Sequence, residues 1–178
     1  MNFPPWVRPF QKGTEEMRRS KLDSIDRQIL IDLQENGRMT NVELATRAGI
    51  SAPPCLRRLR ALEEDGIILG YHAEVSPDAL DFKIIAFIHV KLSSNNDHDL
   101  RQFEETIADW PEVRECHLLA GDFDFLLRVV CRSWESYQKF LSSELTNAPH
   151  VSQIKSSLAV RRSKFSAGVP MERAEKAK

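Results

Sequence analysis

Cysteine is scarce in this chain of 178 residues: only Cys55, Cys116 and Cys131 occur, with no CxxC pair and no zinc-ligand spacing. That excludes a disulfide framework and leaves reduced thiols in a core. No apolar run approaches the roughly 18 residues of a membrane span. The opening MNFPPWVRPF lacks the apolar stretch of a secretory signal, so a cytoplasmic chain is expected. An excess of either charge is also missing; the net charge of −1 rules out a wholesale polyanion binder and makes any nucleic-acid footprint local. There is no glycine-rich cofactor loop, no nucleophile–base set and no metal cluster. His89, His98 and His117 fall on different elements, and no base stands beside Cys116 in sequence, which reads as a small core residue. What remains is 42% hydrophobic and 29% charged residues, an ordinary balance able to support real cores.

Residues 1 to about 20 carry Pro4, Pro5, Pro9 and Gly13 among scattered charges and read as a flexible arm. Met17 directly precedes the first periodic segment and would serve as an alternative translational start, which the intact mass of the native protein decides. From there Leu22, Ile25, Ile29 and Leu33 recur at helical spacing, with Asp23 placed to cap and Asn36-Gly37 to stop. Thr40-Asn-Val-Glu43 has capping-box spacing and begins a short second helix with Leu44, Ala45 and Ala48 inward. Gly49 breaks it, and Ser51 stands where it would cap a third.

That third helix opens SAPPCLRRLR. Pro53 and Pro54 fit a first turn, because the N–H groups they lack would have had no intrahelical partner there. Cys55, Leu56, Leu59 and Leu62 form one stripe, while Arg57 and Arg60 point away from it with Arg58 on the flank. A lone Arg-Arg pair would read as a solvated surface. A short helix, a tight glycine turn and a basic helix in this order predict a helix-turn-helix over residues 21–76, ending in an extended linker or wing. Its acids nearly cancel its bases, so one copy should bind DNA weakly and affinity should need two on one duplex.

After Ser76-Pro77-Asp78 the pattern changes. Phe82 to Leu92 reads as a strand apolar on both faces, the second face calling for burial against another subunit. A helix with Leu100, Phe103 and Ile107 follows, then strands at about 113–119 and 123–130 around Ala120-Gly121-Asp122. A helix capped by Ser133 and a last strand at 151–160 complete the series. The order βαββαβ over residues 77–166 predicts a ferredoxin-like domain, an α+β chain overall, and a flexible polar tail over 167–178. At Gly121-Asp-Phe-Asp124 the residues alone leave two readings open: a turn needing glycine for shape, or backbone and carboxylate groups that hold an amino acid.

Lys21-Leu-Asp-Ser-Ile-Asp26, Leu33-Gln-Glu-Asn-Gly-Arg38, Cys55-Leu-Arg-Arg58, Leu62-Glu-Glu-Asp-Gly-Ile67 and the long run from Pro111 to Leu127 together resemble the Lrp/AsnC family of feast/famine regulators. The long run is similar to the leucine-responsive branch, and the resemblance extends to about Ser166. It implies a transcriptional regulator that binds double-stranded DNA, forms homodimers and assembles further to octamers. It also implies an amino-acid effector, leucine or another apolar one, bound between C-terminal domains near Gly121, Asp122, Phe123 and Asp124, with Ser156 and Ser157 as further wall candidates. On the head, Thr40, Ser51, Pro53, Pro54, Arg57, Arg58 and Arg60 become the DNA-facing candidates. Many members have a hydroxyl residue where this chain has Ala52, which removes the group a phosphate or base contact there would use. Two rivals stand beside this reading: an architectural DNA-binding protein without effector, and an enzyme of amino-acid metabolism, since ferredoxin-like domains serve both.

Overall fold

In the computed structural model, which describes residues 22–172, contacts divide the chain into an N-terminal unit, up to Glu74 and again from Phe165, and a second unit over Val75–Lys164. The arm expected over residues 1 to 20, Met17, and the tail from residue 173 lie outside the described residues.

Local chemistry builds the N-terminal unit. Asp23 accepts from the Asp26 amide at 2.9 Å while Asp26 accepts from the Asp23 amide at 3.3 Å, a reciprocal cap that starts α1 (Ser24–Glu35). Thr40 and Glu43 repeat the device at α2 (Asn41–Ala48). Gly49, at φ 70°, ends α2 in a Schellman motif: Ile50 N–H reaches the Ala45 carbonyl and Gly49 N–H the Thr46 carbonyl. The left-handed backbone, not crowding, demands glycine there, since a Cβ would meet nothing. α3 (Ala52–Glu64) then closes through the same motif at Gly66. Ile29, Leu30, Leu44, Ala45, Cys55 and Leu62 form the core between the three helices.

Two expectations change here and one holds. Leu56 leaves the buried stripe and is 37% exposed, so Cys55 and Leu62 carry α3's apolar contact with Leu59 at its edge. Ile67 to Val75 is the extended segment expected, pairing with no strand among the described residues and held where the Tyr71 hydroxyl donates to Glu63 at 2.8 Å. Burial and the Glu63 carboxylate push that hydroxyl up to about 12. The tail expected to fray instead lies against α1 over its described part: Met171 packs on the core and the Val169 N–H donates to the Gln34 side chain.

The second unit is a four-stranded antiparallel sheet in the order β2-β3-β1-β4, formed by β1 (Ile84–Leu92), β2 (Val113–Leu118), β3 (Phe125–Cys131) and β4 (Val151–Leu158). This is the ferredoxin-like arrangement. α4 (Asp97–Ala108) and α5 (Trp134–Lys139, continued by a wider turn to Glu144) supply Phe103, Ile107, Tyr137 and Phe140 to a core with Ala86, Ile88, Val90, Phe125, Leu127 and Val129. β1 starts at Ile84 rather than Phe82, whose ring instead lies under the Arg132 guanidinium at 4.6 Å. β2 and β3 stop short of the turn, which therefore spans residues 119–124, and β4 ends at Leu158 rather than 160. Cys116 sits against the core, its thiol pushed up to about 12 by burial and by Glu104. The other sheet face carries Ile85, Phe87, His89, Leu126 and Val130, by the period of two and the register of β1 with β3.

Candidate nucleic-acid interface and ligand turn

α3 meets its surroundings differently on its two sides. Arg58 turns toward α1, where one guanidinium nitrogen lies 2.8 Å from both Asp23 and Asp26. The Asp26 amide first, and Arg58 after it, hold the Asp23 carboxyl below its ordinary value despite some burial, while the hydrogen bond to Asp26 leads in pushing the Arg58 guanidinium up. Arg58 is thus a strut between α3 and the α1 cap, not the free flank residue the spacing implied. Arg47 of α2 plays a parallel part, 2.8 Å from the fully buried Asp32 and 3.5 Å from Glu35.

On the outward side Arg57 and Arg60 are exposed, and among the described residues neither forms an ion pair. With Pro53, Leu56, Ala61 and Glu64 they line a shallow depression of about 390 Å³. With Arg58 paired internally, Arg57 and Arg60 are the remaining cations of α3, so a nearly uncharged head still presents two exposed arginines on one side, beside Glu64. Leu56 belongs to this surface, which its place in the apolar stripe concealed.

Ser51 holds the N-cap backbone position of α3 but makes no capping bond. The reason lies in the quoted stretch itself: a cap hydroxyl accepts from the second or third helical N–H, and those positions are Pro53 and Pro54, which have none. The hydroxyl is left available at a helix N-terminus, where backbone dipoles favour an anion. Thr40 is different, since its Oγ1 lies 2.7 Å from Glu43 Oε2 and 3.3 Å from the Glu43 amide. Asn41 locks α2 to α3 by donating to the Ala52 carbonyl at 2.9 Å, a contact no spacing rule signals.

In the second unit the turn at 119–124 is pinned rather than open. The Asp124 amide donates to the Val90 carbonyl at 3.0 Å and its carboxylate accepts from the Leu92 amide at 2.7 Å, so Asp124 fastens the end of β1. Phe123 packs its ring 5.4 Å from that of His89 at 54°. Asp122 and Gly121 are exposed. A Cβ on Gly121 would meet nothing within 4 Å, and its φ is not left-handed, so the chain's own turn does not require glycine there. Ser156 and Ser157 lie opposite Ile88 and Phe87, on opposite sheet faces, while the turn is anchored at Val90 and Leu92. Two or three residues along a strand is about 7 to 10 Å, so one subunit does not gather the serines at the turn.

Comparisons with known proteins match the chain in two stretches, the second running past Lys164 into the segment that joins the N-terminal unit. Residues 22–68 match the winged helix-turn-helix DNA-binding family, and residues 85–169 match the Lrp/AsnC ligand-binding domain. The chain is 47% identical over 146 residues to the leucine-responsive regulatory protein of Rhizobium meliloti, covering 82% of this chain and 94% of that one. It is 42% identical over 130 residues to the protein of the same name from Escherichia coli, covering 73% and 79%. Among solved structures, a transcriptional regulator from Neisseria meningitidis in complex with L-methionine superposes with a TM-score of 0.80 at 37% identity, covering 84% of this chain and 97% of that one. Escherichia coli AsnC superposes with a TM-score of 0.75 at 26% identity, covering 83% and 98%.

Proposed function

Because the chain belongs to the Lrp/AsnC family of DNA-binding transcriptional regulators, which are not enzymes, we propose a division of labour among its candidate residues. Arg57 and Arg60 meet DNA, Ser51 and the proline-braced start of α3 approach a phosphate, and Arg58 holds α3 to α1. The observation that carries this is the sorting of α3's arginines, one paired with two carboxylates and two exposed beside an uncapped helix start. Two heads on one duplex then compensate for the low charge of each, and twofold symmetry calls for half-sites about 34 to 36 Å apart or a multiple.

The same reading assigns the second unit an amino-acid effector and self-association. A homodimer, extending to an assembly such as an octamer, would cover the sheet face bearing Phe87, which is 39% exposed. A methionine complex in one relative and the leucine-responsive name of others favour an apolar amino acid. Gly121, unneeded by its own turn, leaves room for an α-carboxylate or a neighbouring subunit to approach backbone N–H groups, with Asp122 as the free acid for an α-ammonium. Phe123 would supply an apolar wall, Asp124 would shape the turn, and Ser156 and Ser157 would contribute only from another subunit. Effector acts on DNA only through unequal affinity for different assemblies.

The test is DNA-binding anisotropy across salt concentrations with duplexes selected from a random pool. Arg57→Ala should cost about 1 to 3 kcal/mol at one base pair, or else weaken all sequences alike and lower the salt slope by about one. Arg58→Ala should act through the melting temperature instead. Unchanged affinity and salt slope in both Arg57→Ala and Arg60→Ala would refute the interface. Asp122→Ala with an intact effector response would remove that residue from the ligand site.

A further inference from the structure

Residues 165–172 leave the second unit and join the first, so the DNA-binding head is connected to the rest of the chain by two covalent stretches rather than one. The seat is specific. The Val169 N–H donates to the Gln34 side-chain oxygen on α1, Met171 packs against the head core, and Ile31, Gln34, Ser166, Ala167, Val169 and Met171 line a shallow hollow of about 320 Å³.

Gly168 makes the seat possible in two ways. Its φ of 67° lies in the left-handed region, where a side chain is strained. A Cβ there would also strike the Gln34 side chain, the same group that accepts from Val169. A substitution at Gly168 therefore opposes the backbone turn and displaces the hydrogen-bond partner at once. An irregular tail with no further use for the seat would not need both the glycine and the amide on α1 to be matched.

We propose that residues 166–171 form a latch on α1, which fixes the head at a second point and limits how far the two heads of a dimer can part. While closed, the latch gives β4, whose chain leads into it, a second connection to the head; opening it returns the head to a single tether, residues 69–77. The half-site consequence rests on the paired-head reading above; the latch itself does not.

The deciding measurement is residue-level amide exchange on the full chain, comparing wild type with Gly168→Val, Gln34→Ala and Gln34→Glu. In the wild type the Val169 amide should exchange at least tenfold slower than in an unstructured peptide. Gly168→Val and Gln34→Ala should abolish that protection and speed exchange in the last turn of α1, while Gln34→Glu, which keeps an acceptor oxygen, should retain it. Protection absent from the wild type, or unchanged in Gly168→Val and Gln34→Ala, overturns the latch. A second measurement separates it from the paired-head reading. On selected duplexes whose half-sites are moved apart one base pair at a time, wild-type affinity should vary at least tenfold with spacing and Gly168→Val affinity should vary less than threefold. A wild type indifferent to spacing counts against paired heads, while equal spacing dependence in the two proteins counts against the latch.

Discussion

The two units solve the problem of stability in opposite ways. The head has a small core and is held by short-range devices: two capping boxes, two Schellman turns and a proline pair, each spanning a few residues. The second unit also caps its helices, at Asn96 and in a Ser133–Ser136 capping box, but its sheet rests on strand register, with Ala86, Ile88 and Val90 facing Val129, Leu127 and Phe125 from distant parts of the chain. A unit made of local rules tolerates substitutions on its surface and so leaves α3 free for contacts with a partner. A unit made of long-range pairing supplies a rigid platform with a broad apolar face.

The largest expected break in that comparison is Phe103→Ala. Phe103 is fully buried and packs its ring 4.7 Å from that of Phe125. Its truncation should cost about 3 to 5 kcal/mol and show in urea melts as loss of the sheet transition, with α1 to α3 surviving longer. Next is Thr40→Ala, which removes the α2 cap and should cost about 1 kcal/mol, seen as a lower melting temperature of the head alone.

Acid should weaken both units over one window. The folded-state values of Asp23 and Asp99 are both lowered, the first chiefly by the Asp26 amide and the second chiefly by His98. Lowered carboxylates contribute stability above the unfolded value of about 3.9 and lose it as pH falls through their folded values. Urea midpoints should therefore drop below about pH 4, and Arg58→Ala should flatten that drop in the head only.

The smallest effect is the most discriminating. Ser51→Ala, a nominal cap removal, should change stability by no more than a few tenths of a kcal/mol, because Pro53 and Pro54 offer the hydroxyl no donor. Any loss from Ser51→Ala should appear in DNA affinity instead. A stability cost equal to that of Thr40→Ala would contradict the uncapped helix start.

Much of this was legible from residue order. Asp23, Thr40 and Gly49 act as their spacing predicts, because caps and helix stops depend on partners within about five residues. Helical and strand periods located the cores for the same reason. The exceptions share a cause. Arg58 meets Asp26 across 32 residues, Asp124 meets Leu92 across 32, and Val169 meets Gln34 across 135. No period or cap rule reaches that far.

The sequence alone determined which segments are helices and strands, where the three helices of the head start, and the family to which their order belongs, since each follows from neighbours on the chain. Only the tertiary structure decided which arginine of α3 is a strut and which are exposed, that Asp124 ties down β1, and that a polar tail returns to α1. Those outcomes depend on which distant groups arrive within hydrogen-bonding distance, and an ion or amide takes whichever partner the packed fold brings to it.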